Sequence, residues 1–216
     1  YHWAENHNVN LIKFPEIEII SSWYNENVDN FIQDAIFLEE TYSGFKQTLY
    51  DSNYLYFGEL KDNRPSGLGI LYQITDYLDQ NGENIILTQY IGYFSDGKYN
   101  GYGLEFDVPA DDLYGGDIYI KNIEYRNSVY YEGYFIDNEW VECGNIFLSN
   151  YESLLREASY SYTEVDLSQV KYFYVVAETD KDNINGEAIY YNTDGTLIYA
   201  GEVKDGSYEG EGVLYY

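Results

Sequence analysis

One short pattern returns five times in this chain: an aromatic, a glycine two residues later, a tight turn, then a second strand carrying a glycine pair. The first copy reads Tyr56-Phe57-Gly58-Glu59-Leu60, Lys61-Asp62-Asn63-Arg64-Pro65-Ser66, Gly67-Leu68-Gly69-Ile70-Leu71-Tyr72. The second keeps that spacing to the residue, from Tyr90-Ile91-Gly92-Tyr93-Phe94 through Ser95-Asp96-Gly97 to Gly101-Tyr102-Gly103-Leu104-Glu105-Phe106. In the third, Tyr131, Gly133 and Phe135 precede Asp137-Asn138, and Glu142 replaces the first glycine of the pair before Gly144-Asn145-Ile146-Phe147. The fourth keeps only Gly186, with Ala177 and Ala188 at the other two glycine positions. The fifth is Tyr199-Ala200-Gly201-Glu202-Val203, Asp205-Gly206, Gly210-Glu211-Gly212-Val213-Leu214-Tyr215. A short unit repeated in this way folds as an array in which each copy buries its apolar side against its neighbours.

Two signals make each copy a β-hairpin. Asp-Gly or Asp-Asn stands mid-copy in four of the five, where a two-residue turn needs residues that tolerate positive φ. Strand alternation then sets the first aromatic, the glycine and the next apolar residue on one face, with Glu59, Tyr93, Tyr134, Glu178 and Glu202 on the other. Glycine weakens a strand, so its recurrence implies a bulky group packed directly over it. The 29 Tyr and 10 Phe supply suitable rings. A structural role therefore falls to Gly58, Gly67, Gly69, Gly92, Gly101, Gly103, Gly133, Gly144, Gly186, Gly201, Gly210 and Gly212.

These five copies resemble membrane occupation and recognition nexus (MORN) repeats, whose pattern is roughly Y-x-G-x-W/F, a turn and G-x-G. The likeness covers about the C-terminal three-quarters of the chain. It implies a mainly β fold: an elongated, single-layer antiparallel sheet of stacked hairpins, with copies near 56–72, 90–106, 131–147, 175–191 and 199–215. Only the last two copies follow at close to the family's spacing; three inserts separate the others. Residues 73–89, with Asn81-Gly82 between apolar runs, are expected to lengthen two strands. Residues 107–130 hold an acidic loop and a further strand, and residues 149–168 a short helix with Leu154, Leu155 and Ala158 on one face. The array is taken as residues 54–216. Residues 1–53 carry no copy and read as an N-terminal helical cap, in which Val28, Phe31, Ile32, Ala35 and Leu38 share a face, Asn25 or Asn27 caps, and Gly44 stops the helix.

Charge narrows the partners. Thirty-eight acidic against 11 basic residues give a formal net charge of −27, which repels nucleic acid and disfavours anionic membrane. Catalytic chemistry finds little to build on. Both histidines, His2 and His7, lie at the very start, and the lone Cys143 has no evident activating neighbour. The carboxylates are too many for any pair to stand out as a glycosidase dyad. Asp107, Asp111, Asp112 and Asp117, or Asp180 and Asp182, could be imagined around calcium but lack EF-hand spacing. No cofactor or metal is expected. The missing initiator Met suggests a fragment or processed chain and leaves cytoplasmic and exported locations equally open.

The expected function is a noncatalytic interaction or scaffolding module that presents an aromatic, acid-rimmed surface to a protein with a basic or polar face. Tyr93, Tyr102, Tyr134, Glu59, Glu202 and Glu211 are the candidate contact residues. Two other readings stay open: an acidic inhibitor that neutralises a basic toxin, and a surface glycan binder using exposed rings. The last strand has no evident cap, which leaves its edge open to an edge-to-edge dimer mate or to missing chain.

Overall fold

The computed structural model describes residues 11–27, 44–51, 53–78, 82, 84–106, 129–149, 172–180, 183–192 and 195–216. Among these residues there is one helix, α1 (Glu16–Asn27), and eleven strands that form one open sheet in sequence order. The strands are β1 (Gly44–Asp51), β2 (Tyr54–Lys61), β3 (Arg64–Leu78), β4 (Asn84–Ser95), β5 (Lys98–Phe106) and β6 (Val129–Ile136). They continue as β7 (Glu139–Ser149), β8 (Tyr172–Asp180), β9 (Asn183–Tyr191), β10 (Leu197–Lys204) and β11 (Ser207–Leu214). Every neighbouring pair is antiparallel. The chain is thus mainly β and antiparallel, as the repeats imply.

The turns obey local chemistry. Both central residues have positive φ at Asp62-Asn63 (50° and 62°), Asp96-Gly97 (52° and 83°), Asp137-Asn138 (54° and 76°) and Asp205-Gly206 (47° and 73°). Turns of that hand match the twist of the strands they join. Each hairpin then carries the same irregularity. Gly58 pairs Gly69 and Leu60 pairs Pro65, so Glu59 alone faces Ser66, Gly67 and Leu68. The equivalent slip recurs in the other four hairpins. The extra residue bends backward through positive φ at Gly67 (76°), Gly101 (103°), Gly186 (87°) and Gly210 (63°). In the third copy Glu142 holds this conformation, at 62°. Left-handed backbone costs an L side chain about 1 kcal/mol. Glu142→Gly is therefore expected to stabilise the protein by about that amount, read as a higher urea midpoint at unchanged slope; an unmoved midpoint would show that Glu142 is not strained.

Between hairpins the register aligns small residues into a row. Gly69 pairs Gly92, Gly103 pairs Gly133, Gly144 pairs Ala177, and Ala188 pairs Gly201. Over the row lie the rings of Tyr56, Tyr90, Tyr131 and Tyr199, each so close to the glycines of its own hairpin that a Cβ on either would overlap it. Each hydroxyl donates to the carbonyl three residues on, as Tyr56 does to Glu59 (2.8 Å) and Tyr199 to Glu202 (2.7 Å). The first aromatic after the turn stacks on the same ring: Tyr99 on Tyr90 at 3.8 Å, Trp140 on Tyr131 at 4.3 Å, Tyr208 on Tyr199 at 4.0 Å. The next hairpin adds an edge-on ring, Phe94 against Tyr56 and Phe135 against Tyr90. This ring face is one continuous buried cluster from Tyr56 to Val203.

The weak fourth copy follows the same logic. Val175 replaces the tyrosine, and paired Ala177 and Ala188 replace the glycines, all three being buried. Where no ring needs room, two methyl groups fill it.

The N-terminal expectation is corrected in part. Asn25 and Asn27 lie in the last turn of α1 instead of capping a later helix, and the Asn27 side chain donates to the Trp23 carbonyl (2.7 Å). Pro15 immediately before the helix, and Glu16 and Glu18 in its first turn, favour a start there. Gly44 begins β1, which pairs β2, so the sheet starts before residue 54. The helix read over residues 28–38, the short helix within 149–168 and the acidic insert 107–128 lie outside the described residues. The insert at 73–89 does lengthen a hairpin, since β3 reaches Leu78 and β4 begins at Asn84.

Candidate binding face

The sheet's opposite face carries α1 and the residues leading into it. Phe14 packs on Tyr102 and Tyr134, with ring centroids 5.2 and 5.6 Å apart, and Trp23 lies against Phe57. Ile20 joins Leu55, Ile70, Tyr72 and Ile91 in the second buried cluster. The helical periodicity of Ile17, Ile20 and Tyr24 makes this possible, because those positions share one side of α1.

Leading into the helix, the chain is pinned by side chains. Asn145 accepts from the Ile12 amide and donates to the Ile12 carbonyl, both at 2.8 Å, as a neighbouring strand would. It also donates to Glu132 Oε2 (2.9 Å), while Glu132 Oε1 accepts from the Tyr102 hydroxyl (2.6 Å). Glu132 and Asn145 are cross-strand partners and almost wholly buried. Burial lifts the Glu132 carboxyl to about 7, against a smaller downward pull from its Asn145 hydrogen bond. The Tyr134 hydroxyl donates to Glu16 Oε1 (2.7 Å), and that bond chiefly drives its own pKa up to about 12.

All six candidate contact residues fall on one row of this face, at the level of the slip. Register places Leu68 beside Tyr93, Tyr102 beside Tyr134, Cys143 beside Glu178 and Glu187 beside Glu202. Glu59 extends the row at β2, and Glu211 at β11, where its amide donates to Glu202 Oε2 (3.1 Å). The structure divides this row in two. Tyr102 is 1% exposed beneath Phe14, Tyr134 is bonded to Glu16, and Tyr93 packs against the same cluster. Tyr102 and Tyr134 thereby meet the chain's own N-terminal segment, while Tyr93 is half-buried against the same cluster. Glu202 and Glu211 stand exposed, as does Glu187, which the sequence reading left out. Glu59, exposed at the opposite end, lies against Gly67.

Beside these acids, a groove of about 380 Å³ is lined by Ile12, Cys143, Glu187, Ile189 and Ala200. A second depression, of about 430 Å³, lies at the hairpin tips around the Arg64–Asp96 ion pair and is walled by polar residues. Arg64 to Asp96 (2.6 Å) and Lys98 to Asp137 (3.2 Å) each join one turn to the next. Pairs so exposed add little stability and serve chiefly to set spacing. Among the described residues no three His, Cys, Asp or Glu side chains gather as metal ligands. No helix among them is long and apolar enough to cross a membrane. Asp107, Asp111, Asp112, Asp117 and Asp182 lie outside the described residues.

Glu132 and Asn145 had a readable signal. They stand where the other copies carry Phe57, Ile91, Val176 or Ala200, and Ile70, Leu104, Ile189 or Val213. Two polar substitutions in one copy, at cross-strand positions, mark a buried hydrogen-bonded pair. No family model and no curated protein matches the chain.

Proposed function

We propose that this protein is a noncatalytic, MORN-type binding module whose exposed acidic row takes a basic, amphipathic segment of another protein. One observation carries the reading. On a single sheet face the chain's own segment 11–27 lies over the aromatic half of the row, while Glu187, Glu202 and Glu211 stand exposed next to an apolar groove. The covered half thus illustrates the kind of ligand the face accepts: a helix with a short extended lead, apolar on its inner side. Carboxylates aligned on neighbouring strands repel one another, and a Lys- or Arg-bearing ligand would relieve that repulsion. Complementary charge gives such a site selectivity and fast association. The excess of acid also suits the narrower reading of an inhibitor that covers a basic toxin. The glycan reading draws no support from Tyr56, Tyr90 and Tyr131, which are buried in their own stacks.

The test uses a synthetic Lys/Leu amphipathic helix and its Glu/Leu counterpart as probes. The basic peptide should bind, weaken as salt rises, and protect backbone amides across β9–β11 from exchange. Changing Glu187, Glu202 and Glu211 together to Lys should weaken binding at least tenfold. The same change in charge at Glu18, Glu26 and Glu139, away from the row, should have a much smaller effect. Equal losses from both triple variants would reduce the binding to bulk charge and overturn the proposal.

A further inference from the structure

The segment that covers the aromatic half of the row is ill-matched in charge to the place it occupies. Residues 11–27 carry Glu16, Glu18 and Glu26 against a single basic residue, Lys13, and the last turn of α1 has no basic side chain. They lie on the sheet of a chain whose formal net charge is −27. The mismatch is sharpest at the first turn of the helix. There the Tyr134 hydroxyl is raised first by its bond to Glu16 and, among smaller causes, by Glu142 of β7, while Tyr102 is raised first by burial and next by Glu16. Glu16 Oε1 accepts from Tyr134, but Oε2 is buried with no hydrogen-bond partner among the described residues. A buried carboxylate oxygen left unpaired opposes the seating of the helix that carries it. What seats the segment is apolar: Phe14 and Ile20 are buried, with Ile12, Ile17, Trp23 and Tyr24 packed beside them. Residues 11–14 belong to no strand, and at Ile12 the Asn145 side chain takes a strand's part.

We infer that the seat of residues 11–27 is part of the binding face, and that a basic amphipathic helix of another protein takes it by displacing them. The inference rests on the reading proposed above and extends it from the open acidic half of the row to the covered half. Three features fit that occupant. The seat already holds a helix through the apolar side chains of Phe14 and Ile20, so a partner helix of the same spacing meets the same surface. A Lys or Arg at the level of Glu16 would face Glu142 and donate to the Tyr134 oxygen, replacing a like-charged neighbour with an opposite one. The open groove adjoins the seat, because Ile12 lines the one and belongs to the segment that fills the other. A ligand entering beside Glu187 therefore meets the first residues it must lift. Residues 11–27 act as an internal competitor, and the fraction of molecules in which they are unseated scales the apparent affinity for the partner.

Hydrogen exchange on the 216-residue chain, with and without the Lys/Leu peptide, tests it. A helix of 12 residues is marginal once it leaves the sheet. Peptide binding should therefore speed amide exchange across residues 12–27 at least tenfold, as the β9–β11 amides slow. Phe14→Ser, which loosens the segment, should raise the affinity for the peptide at least tenfold. Glu16→Lys, which improves the segment's own fit, should lower it at least threefold. Glu18→Lys makes the same charge change at an exposed position and should lower it much less. The exchange measurement decides on the unmodified chain even if Phe14→Ser disturbs folding. Binding that leaves residues 12–27 as slow to exchange as before, or an affinity indifferent to both Phe14→Ser and Glu16→Lys, would overturn the inference and leave the open-row site standing. No binding of the peptide at all would overturn both.

Discussion

Gly144→Ala should cost about 3 kcal/mol or more, because the added methyl overlaps the Tyr131 ring and the ring is held on every side. Trp140 stacks on it, Phe135 meets it edge-on, and its hydroxyl is turned toward the Tyr134 carbonyl. Tyr131→Val alone should cost a similar amount by leaving a cavity. The fourth hairpin shows how the two losses can cancel, since it combines Val175 with Ala177 and Ala188 at these three positions and buries all of them. The triple variant Tyr131→Val, Gly133→Ala, Gly144→Ala should therefore be far more stable than the sum of its parts, with a favourable coupling of about 2 kcal/mol. A thermodynamic cycle from urea melts measures it. Simple additivity would mean that the glycines serve the backbone and not the ring.

The second large effect concerns pH. Glu132 is buried between Tyr102 and Asn145, with its folded pKa raised from an ordinary 4.5 to about 7. A carboxyl that holds its proton more tightly when folded favours the native state most below its unfolded value. That contribution falls as pH climbs from about 4.5 to about 7 and is flat above, with the ionised group then destabilising the fold by about 2 to 3 kcal/mol. Glu132→Gln keeps a neutral group that can donate to the Tyr102 oxygen and accept from Asn145, as the protonated acid can. The variant should match the natural protein near pH 4.5, surpass it by about that margin at pH 8, and slow exchange of the Ile12 amide, which Asn145 anchors. A constant difference across pH would show that Glu132 does not titrate in this window.

Neither effect rests on what was hardest to read. The turns were legible because Asp-Asn and Asp-Gly impose positive φ locally, and the glycines because nothing but a packed ring justifies so many of them in strands. Val175 could have been read as well, since its loss of a ring coincides with Ala177 and Ala188. The more regular apolar spacing of residues 28–38 points to a helix there and not over α1. The seat of α1 depends on Phe14 and Trp23 meeting Tyr102 and Phe57, which are distant in sequence.

What the sequence alone determined is the unit: a hairpin with a left-handed turn, a slip after it and a tyrosine over small residues, all set by contacts within some fifteen neighbouring positions. It also placed Glu59, Tyr93, Tyr134 and Glu202 on one face, since strand alternation is a local rule. Only the tertiary structure decided which part of that row is covered. Tyr102, Tyr134 and Glu202 occupy equivalent or adjacent positions in their copies, and no local property separates them. The difference comes from where residues 11–27 return across the sheet, and that depends on the Glu132–Asn145 pair holding Ile12 from more than a hundred residues away.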